Sequence, residues 1–137
     1  MTDHPADTCV FCALTPDRVL AKNELAFAVR DTSPVTTLHT LILPRRHAAD
    51  YFDLNPAEDS AIRGLLTKIR SDIIALDPHV EGFNIGVNVG EAAGQTIFHC
   101  HVHLIPRRRG DVANPRGGVR AVIPGKANYR SIFRGPA

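Results

Sequence analysis

A chain of 137 residues, 44% hydrophobic and 22% charged with a formal net charge of +2, has the length of one domain and can bury about two-thirds of its unfolded surface. No apolar run approaches the roughly 20 residues that span a bilayer, and the N-terminal MTDHPADTCVFC has no basic start followed by an apolar stretch, so neither a membrane partner nor a secretory signal is expected. Three cysteines, an odd number, suit a reducing, cytoplasmic location better than a disulfide framework.

In chain order, VLAKNELAFAVRD reads as two short strands around a turn at Lys22 and Asn23. SPVTTLHTLILP predicts a strand over about 38–43, ended by Pro44. RRHAADYFDL reads as a short helical turn. The long helix follows, over about 56–77: Asn55 is the N-cap, Pro56 takes the first helical position, and Glu58 completes a capping box. Ala61, Ile62, Leu65, Leu66, Ile69, Ile73 and Leu76 recur at helical spacing, so one face packs on a sheet. Pro78 bars further helix. GFNIGVNVG (82–90) alternates like a strand, EAAGQ is a loop, and 97–105 predicts the last clear strand. Beyond Pro106 the chain is rich in Pro, Gly and Arg and reads as mostly irregular, with a brief apolar run at 119–123. Strands, one long helix, then strands again argue for an α+β domain with an antiparallel sheet.

Charge is unevenly spread. From Arg107 onward stand eight Lys and Arg (Arg107, Arg108, Arg109, Arg116, Arg120, Lys126, Arg130, Arg134) against the one acid Asp111, leaving eight bases and thirteen acids before them. A basic tail on an acidic body suits a polyanionic partner, or equally a solubilising or subunit-contact tail.

Three of the seven histidines, His99, His101 and His103, alternate within HCHVHLI. On a strand, alternate side chains share a face. The imidazoles would then line a cleft while Phe98, Cys100, Val102 and Leu104 face the helix. That arrangement suits a zinc hydrolase holding several imidazoles on one metal. It equally suits nucleophilic catalysis by a neutral imidazole oriented through its other nitrogen.

HCHVHLI resembles the histidine-triad signature, His-φ-His-φ-His-φ-φ with φ apolar. FAVRDTSPVTTLHTLILPRRH resembles the family's strand–turn–strand segment leading to a Pro-Lys/Arg-x-His element. VNVGEAAGQTIFH resembles its Asn-x-Gly approach followed by Gly-Gln-Thr/Ser, and CVFC its N-terminal zinc-binding Cys-x-x-Cys. The likeness covers about residues 9–109 of a single domain, with a basic Pro/Gly-rich tail over about 110–137. One departure is Leu38, where the family commonly has Gly. The resemblance implies a histidine-triad-like fold: about five antiparallel strands with one long and one short helix, joined into a larger sheet in a homodimer.

It also implies roles. His101, the middle histidine, would attack the α-phosphorus of a nucleotide and form a covalent nucleotidyl-histidine, which water then releases as a nucleoside monophosphate. His103 and His39 would contact phosphate. Gln95 and Thr96, with backbone N–H groups near Gly94, would bind phosphoryl oxygens or the leaving group. Asp31 resembles the family's acidic ribose ligand and Asn88 a nucleotide-contacting asparagine; read by themselves they are a turn residue and a strand-end residue. Cys9, Cys12, His47 and His99 would hold one structural Zn²⁺, four protein ligands leaving no open position. Cys100 should face the core, and His4 and His79 take no role. Apart from the resemblance, Arg107, Arg108 and Arg109 leave the triad strand directly, so at least one, Arg107 first, could reach a polyphosphate's distal charges.

The extended PRRRGD favours a dinucleoside polyphosphate hydrolase. Alternatives are a nucleoside phosphoramidate hydrolase, a nucleotide-binding sensor with negligible turnover, and a zinc hydrolase with the metal on all three triad histidines. The expected partner is a small nucleotide; no specific nucleic acid is expected.

Overall fold

A computed structural model describes residues 8–129; His4, Arg130 and Arg134 lie outside the described residues. Five strands form the sheet: β1 (Val19–Lys22), β2 (Ala26–Arg30), β3 (Thr40–Pro44), β4 (Val80–Gly86) and β5 (Val102–Arg108), with one long helix, α1 (Pro56–Leu76), between β3 and β4. Asn23 makes the first turn. Its side-chain oxygen accepts from the N–H groups of Leu25 (3.1 Å) and Ala26 (2.9 Å), and its amide donates to Ala61 O of α1, an Asx turn that also docks the hairpin on the helix. All pairings are antiparallel and the order is β1-β2-β3-β5-β4.

The helix starts where its capping box predicts. Asn55 Oδ1 accepts from Glu58 N at 2.8 Å and Glu58 Oε1 accepts from Asn55 N at 3.0 Å, with Pro56 at the first helical position, where no N–H is needed. It ends at Leu76, and Asp77 N closes on Ile73 O. Ile62, Leu65, Ile69 and Ile73, all buried, press on Ala26, Ala28, Ile42, Val102 and Leu104. Burying each such aliphatic side chain contributes about 1.5–3 kcal/mol. The opposite sheet face carries Val29, Leu41 and Leu43, covered by Phe11, Leu14 and Phe27. The N-terminal segment therefore crosses the face that the helix leaves open.

Three strand boundaries differ from the sequence expectation, each for a backbone reason. β3 begins at Thr40 rather than 38, because Leu38 has φ 73°; a left-handed residue cannot lie in a ladder. β4 spans Val80–Gly86 rather than 82–90: the strand starts after a turn at Pro78 and His79, closed by Val80 N on Asp77 O, and Gly90 at φ 89° belongs to the next turn. β5 begins at Val102 rather than 97. The segment before it is irregular but tied down, with Cys100 N donating to Ala48 O at 2.7 Å. Phe98, Cys100, Val102 and Leu104 are all buried as the alternation predicts.

The short helical turn is a 3₁₀ turn at Tyr51–Asp53, capped by Asp50. Up to residue 129 the tail carries more structure than its composition suggests. A 3₁₀ turn spans Gly118–Val122, and the guanidinium carbons of Arg116 and Arg120 lie 5.0 and 4.7 Å from the centre of the Tyr129 ring. Val119, Val122 and Ile123 are exposed and add nothing to the core. Among the described residues no helix is long and apolar enough to cross a membrane.

Candidate functional site

Cys9, Cys12, His47 and His99 converge from three parts of the chain, with their donor atoms all within 4.8 Å of one another. Cys9 Sγ and Cys12 Sγ each lie 3.4 Å from His99 Nδ1, and Cys12 Sγ lies 3.3 Å from His47 Nδ1. Tetrahedral zinc with ordinary Zn–S and Zn–N bonds sets an S···N edge of about 3.6 Å, so the four donors need only a slight expansion to admit a metal. His99 supports this. Its Nε2 lies 2.8 Å from Pro44 O, so Nε2 carries the proton and Nδ1 offers a lone pair to the group. Burial lowers the pKa of His99, which keeps that lone pair. Burial and the Cys9 thiol push Cys12 up to about 11, and a bound cation would offset that resistance to ionising.

The other two triad histidines face elsewhere, and each has its tautomer set. His101 Nδ1 lies 2.9 Å from His99 O; a carbonyl only accepts, so Nδ1 is the protonated nitrogen and Nε2 presents its lone pair. His103 Nδ1 lies 2.9 Å from His39 Nε2. His39 is buried, and its Nδ1 accepts from Val35 N at 3.0 Å. Burial pushes the His103 pKa down to about 4, helped by His101 and His39, and burial lowers His39 against the opposing pull of Asp31. Both rings are therefore neutral at pH 7.

The three triad imidazoles do not converge on one point: His99 turns to the thiols, while His101 and His103 line a cleft of about 480 Å³. This excludes a single metal held by all three. A second group of donors, Asp31, His39 and His103, is compact but unsuited to a metal. His39 would have to give up its Nε2 proton while its Nδ1 accepts from the Val35 amide.

The cleft is also lined by Asp31, Asn88, Gly94 and Thr96, with Val10, Phe11, Leu14, Val29 and Leu41 as an apolar wall. The Phe11 ring lies 5.0 Å from the His101 ring. Asp31 projects from the end of β2, where Asp31 N bonds His39 O and its carboxylate accepts from Ser33 N at 2.7 Å. Gly94 is held at φ 93°, a conformation that strains other residues. A volume near 500 Å³, one apolar wall and a few polar groups suit a small organic ligand.

Three expected site residues stand elsewhere. Gln95 is 3% exposed and turned inward. Its Nε2 donates to Ala49 O (2.7 Å) and Ile97 O (3.2 Å), while its Oε1 accepts from Gly90 N (2.9 Å). One bond braces the turn at Gly90 and the other two tie the side chain to Ala49 and Ile97, so it offers the cleft no free donor. His39 stands behind His103 rather than on the cleft surface. Arg107 is outside the cleft: it forks over Asp111 at 2.8 Å and donates to Asn84. Arg108 and Arg109 are likewise paired, with Asp77 and Glu81. Cys100 is buried in the core and held up at about 12 by that burial, and His79 is exposed, as expected.

Sequence reading missed the wall residues Val10, Leu14, Val29 and Leu41, and Arg18 and Thr32 beside them. Val10 and Leu14 flank the Cys pair and Val29 and Leu41 lie within β2 and β3, apolar patterns that look like ordinary core.

A family model described as the HIT domain matches residues 14–110. The chain is 35% identical over 109 residues to an Arabidopsis thaliana protein named adenylylsulfatase HINT3, covering 75% of this chain and 54% of that one. It is 32% identical over 107 residues to a 16.1 kDa HIT-like protein of Mycoplasma pneumoniae, covering 74% and 72%. Among solved structures, a Zn-bound histidine triad family protein from Mycobacterium smegmatis superposes with a TM-score of 0.72 at 33% identity, over 80% of this chain and 82% of that one. A histidine triad nucleotide-binding protein from Candida albicans gives 0.65 at 29% identity, over 74% and 76%. With the HCHVHLI histidines placed as described, the chain belongs to the histidine triad (HIT) family.

Proposed function

We propose that this protein is a nucleotide hydrolase that cleaves at the α-phosphorus through a covalent nucleotidyl intermediate on His101. The observation that carries this is the bond from His101 Nδ1 to His99 O, which leaves Nε2 as the nitrogen available to the cleft that His101 lines. Asp31 would accept from the ribose hydroxyls, the apolar wall would hold the base, and Thr96, Asn88 and the turn at Gly94 would face the phosphoryl oxygens. His101 Nε2 attacks phosphorus, and the bond to the leaving group breaks with its electron pair; the leaving group takes up a proton from solvent, replaced when the attacking water gives one up. Water then attacks the same phosphorus, the N–P bond breaks, and a nucleoside monophosphate leaves with His101 restored. In this reading zinc on Cys9, Cys12, His47 and His99 takes no part in the chemistry. When bound it clamps His99, whose carbonyl orients His101.

For the leaving group, the tail sequence favours dinucleoside polyphosphates. The pairing of Arg107, Arg108 and Arg109 with Asp111, Asp77 and Glu81 favours a second reading, a smaller leaving group such as the amine of a phosphoramidate. The Arabidopsis relative's name adds the sulfate of adenylyl sulfate to the substrates worth assaying. A homodimer is part of the proposal, because β4 is an outer strand and its Ile85 is 53% exposed. So is a reducing, cytoplasmic location, because the metal group needs free thiols.

The test is monophosphate release from a panel of these substrates, with His101→Asn as control, and the stereochemistry of a chiral phosphorothioate substrate. Two displacements give net retention at phosphorus. Net inversion would mean direct attack by water, and tight binding with no turnover would make the protein a sensor.

A further inference from the structure

The segment between β2 and β3 does more than deliver His39. Val35 is 70% exposed, so its side chain packs little. Its backbone N–H, however, is aimed at His39 Nδ1 at 3.0 Å. An amide N–H can only donate, so His39 Nδ1 must accept, and a neutral imidazole that accepts at one nitrogen carries its proton on the other. His39 Nε2 then donates, and its nearest acceptor is His103 Nδ1 at 2.9 Å, with Asp31 Oδ2 farther away at 3.5 Å. By the same rule His103 carries its own proton on Nε2, the nitrogen left for the cleft.

We infer that the Val35 backbone amide is a positioning group that sets the tautomers of His39 and His103 in series, so that His103 meets the substrate as a hydrogen-bond donor while His101 meets it as a lone pair. This rests on the proposed phosphoryl chemistry for its purpose, but not for its geometry. Two imidazoles side by side, one with Nδ1 engaged by a carbonyl and the other protonated on Nε2, give the cleft one nucleophile and one donor without any metal. The nucleophile's tautomer comes from a carbonyl, His99 O. The donor's comes from an amide, relayed through one ring.

The loop is fastened as such a device requires. Thr36 Oγ1 donates to Pro106 O at 2.6 Å, Arg108 Nη2 donates to Thr37 O at 3.0 Å, and Thr40 Oγ1 donates to Leu38 O at 2.8 Å. Arg108 is itself held by Asp77 at the end of α1. These bonds hold Leu38 at φ 73°, a left-handed conformation that disfavours any residue but glycine. The turn at Leu38 brings the His39 ring back over its own loop, where Val35 N can reach it. Backbone strain beside a site is maintained only where its surroundings over-determine it.

The experiment uses nitrogen-15 labelled full-length protein and long-range proton–nitrogen spectra at pH 7, which distinguish the two nitrogens of each ring. The expected result is Nε2–H on both His39 and His103, and Nδ1–H on His101. Val35→Pro removes the amide proton, though it also fixes φ there and restricts Pro34 before it; Val35→Ala keeps the proton and serves as control. With Val35→Pro, His39 and His103 should populate both tautomers and kcat should fall about tenfold or more, since losing one donor to developing phosphoryl charge costs about 10²–10³. KM and thermal midpoint should stay near those of Val35→Ala.

An Nδ1–H tautomer on His103 in the unaltered protein overturns the inference, even if Val35→Pro fails to fold. So does a folded Val35→Pro protein with unchanged tautomers. If the tautomers are as stated but no substrate on the panel is hydrolysed, the relay stands and the proposed activity falls.

Discussion

Arg46 forks over Glu58: Nε lies 3.0 Å from Oε2 and Nη2 lies 2.8 Å from Oε1. The same carboxylate caps α1 through Asn55 N. One buried acid therefore joins the start of the helix to the loop that carries His47. The Arg46 bonds, with help from Asn55, lower the Glu58 pKa against the opposing effect of burial.

A depressed carboxylate contributes stability that is present above its unfolded pKa, near 4.3, and lost as pH falls through the folded value. Glu58→Gln, which keeps the size and part of the cap, should cost about 1–2 kcal/mol at pH 7, discounted because Arg46 is half exposed. The gap to the parent protein should narrow as pH drops below about 4. Urea unfolding at the two pH values reads both numbers; a gap independent of pH would refute the charge-based account.

Metal content is the second expectation. Cys9→Ser should lower bound zinc and the thermal midpoint together, because metal binding at a closed four-ligand site is coupled to folding. Loss should also slow turnover, since a free His99 ring no longer holds the carbonyl that orients His101. Elemental analysis of metal-replete protein checks the first part, and zinc-free parent protein would sink it.

Asp31→Ala should raise KM by about tenfold or more, the equivalent of the roughly 1.5–3 kcal/mol of a charge-assisted hydrogen bond. Substrates lacking the 2′-hydroxyl should already be poor for the unaltered protein. Equal efficiency on ribo- and deoxyribonucleotides would remove Asp31 from ribose recognition.

Gln95 gives an opposite pH signature. Gln95→Glu would place a carboxylate against two carbonyls, Ala49 O and Ile97 O, which accept only. The introduced acid should therefore have a folded pKa above its unfolded one. Its tolerated, protonated form holds below about pH 4.3, and stability should fall as pH rises through the raised value. The variant should thus lose more stability at pH 7 than at pH 4, the reverse of Glu58→Gln. A cost equal at both pH values, with only KM for substrate altered, would return Gln95 to direct substrate contact.

Ile69→Ala at the centre of the helix–sheet contact should cost about 2–5 kcal/mol and leave KM unchanged. Equilibrium unfolding and steady-state kinetics on the same preparation check it.

Local chemistry alone determined much of this protein. The Asn55–Pro56–Glu58 cap, the aliphatic spacing from Ile62 to Ile73 and the break at Pro78 specify α1 almost to the residue, because caps and helical periodicity act over a few positions. The alternation through HCHVHLI predicts which side chains are buried, and the resemblance it carries names His101 and the metal group. What the sequence could not show depends on where distant segments meet.

A glutamine beside a triad reads as a substrate ligand until Ala49, Ile97 and Gly90 take all its bonds. Arginines after a triad read as a free basic patch until Asp111, Asp77 and Glu81 arrive from other elements. His99 and His103 look equivalent in sequence, yet one turns to thiols and the other to His39, because the irregular residues before β5 rotate their side chains apart. Leu38, where the family commonly has glycine, takes a left-handed backbone because the bonds from Thr36, Thr40 and Arg108 together outweigh the strain of one residue. A hydrogen bond's direction belongs to two partners, so the tautomers were decided only when the chain closed on itself.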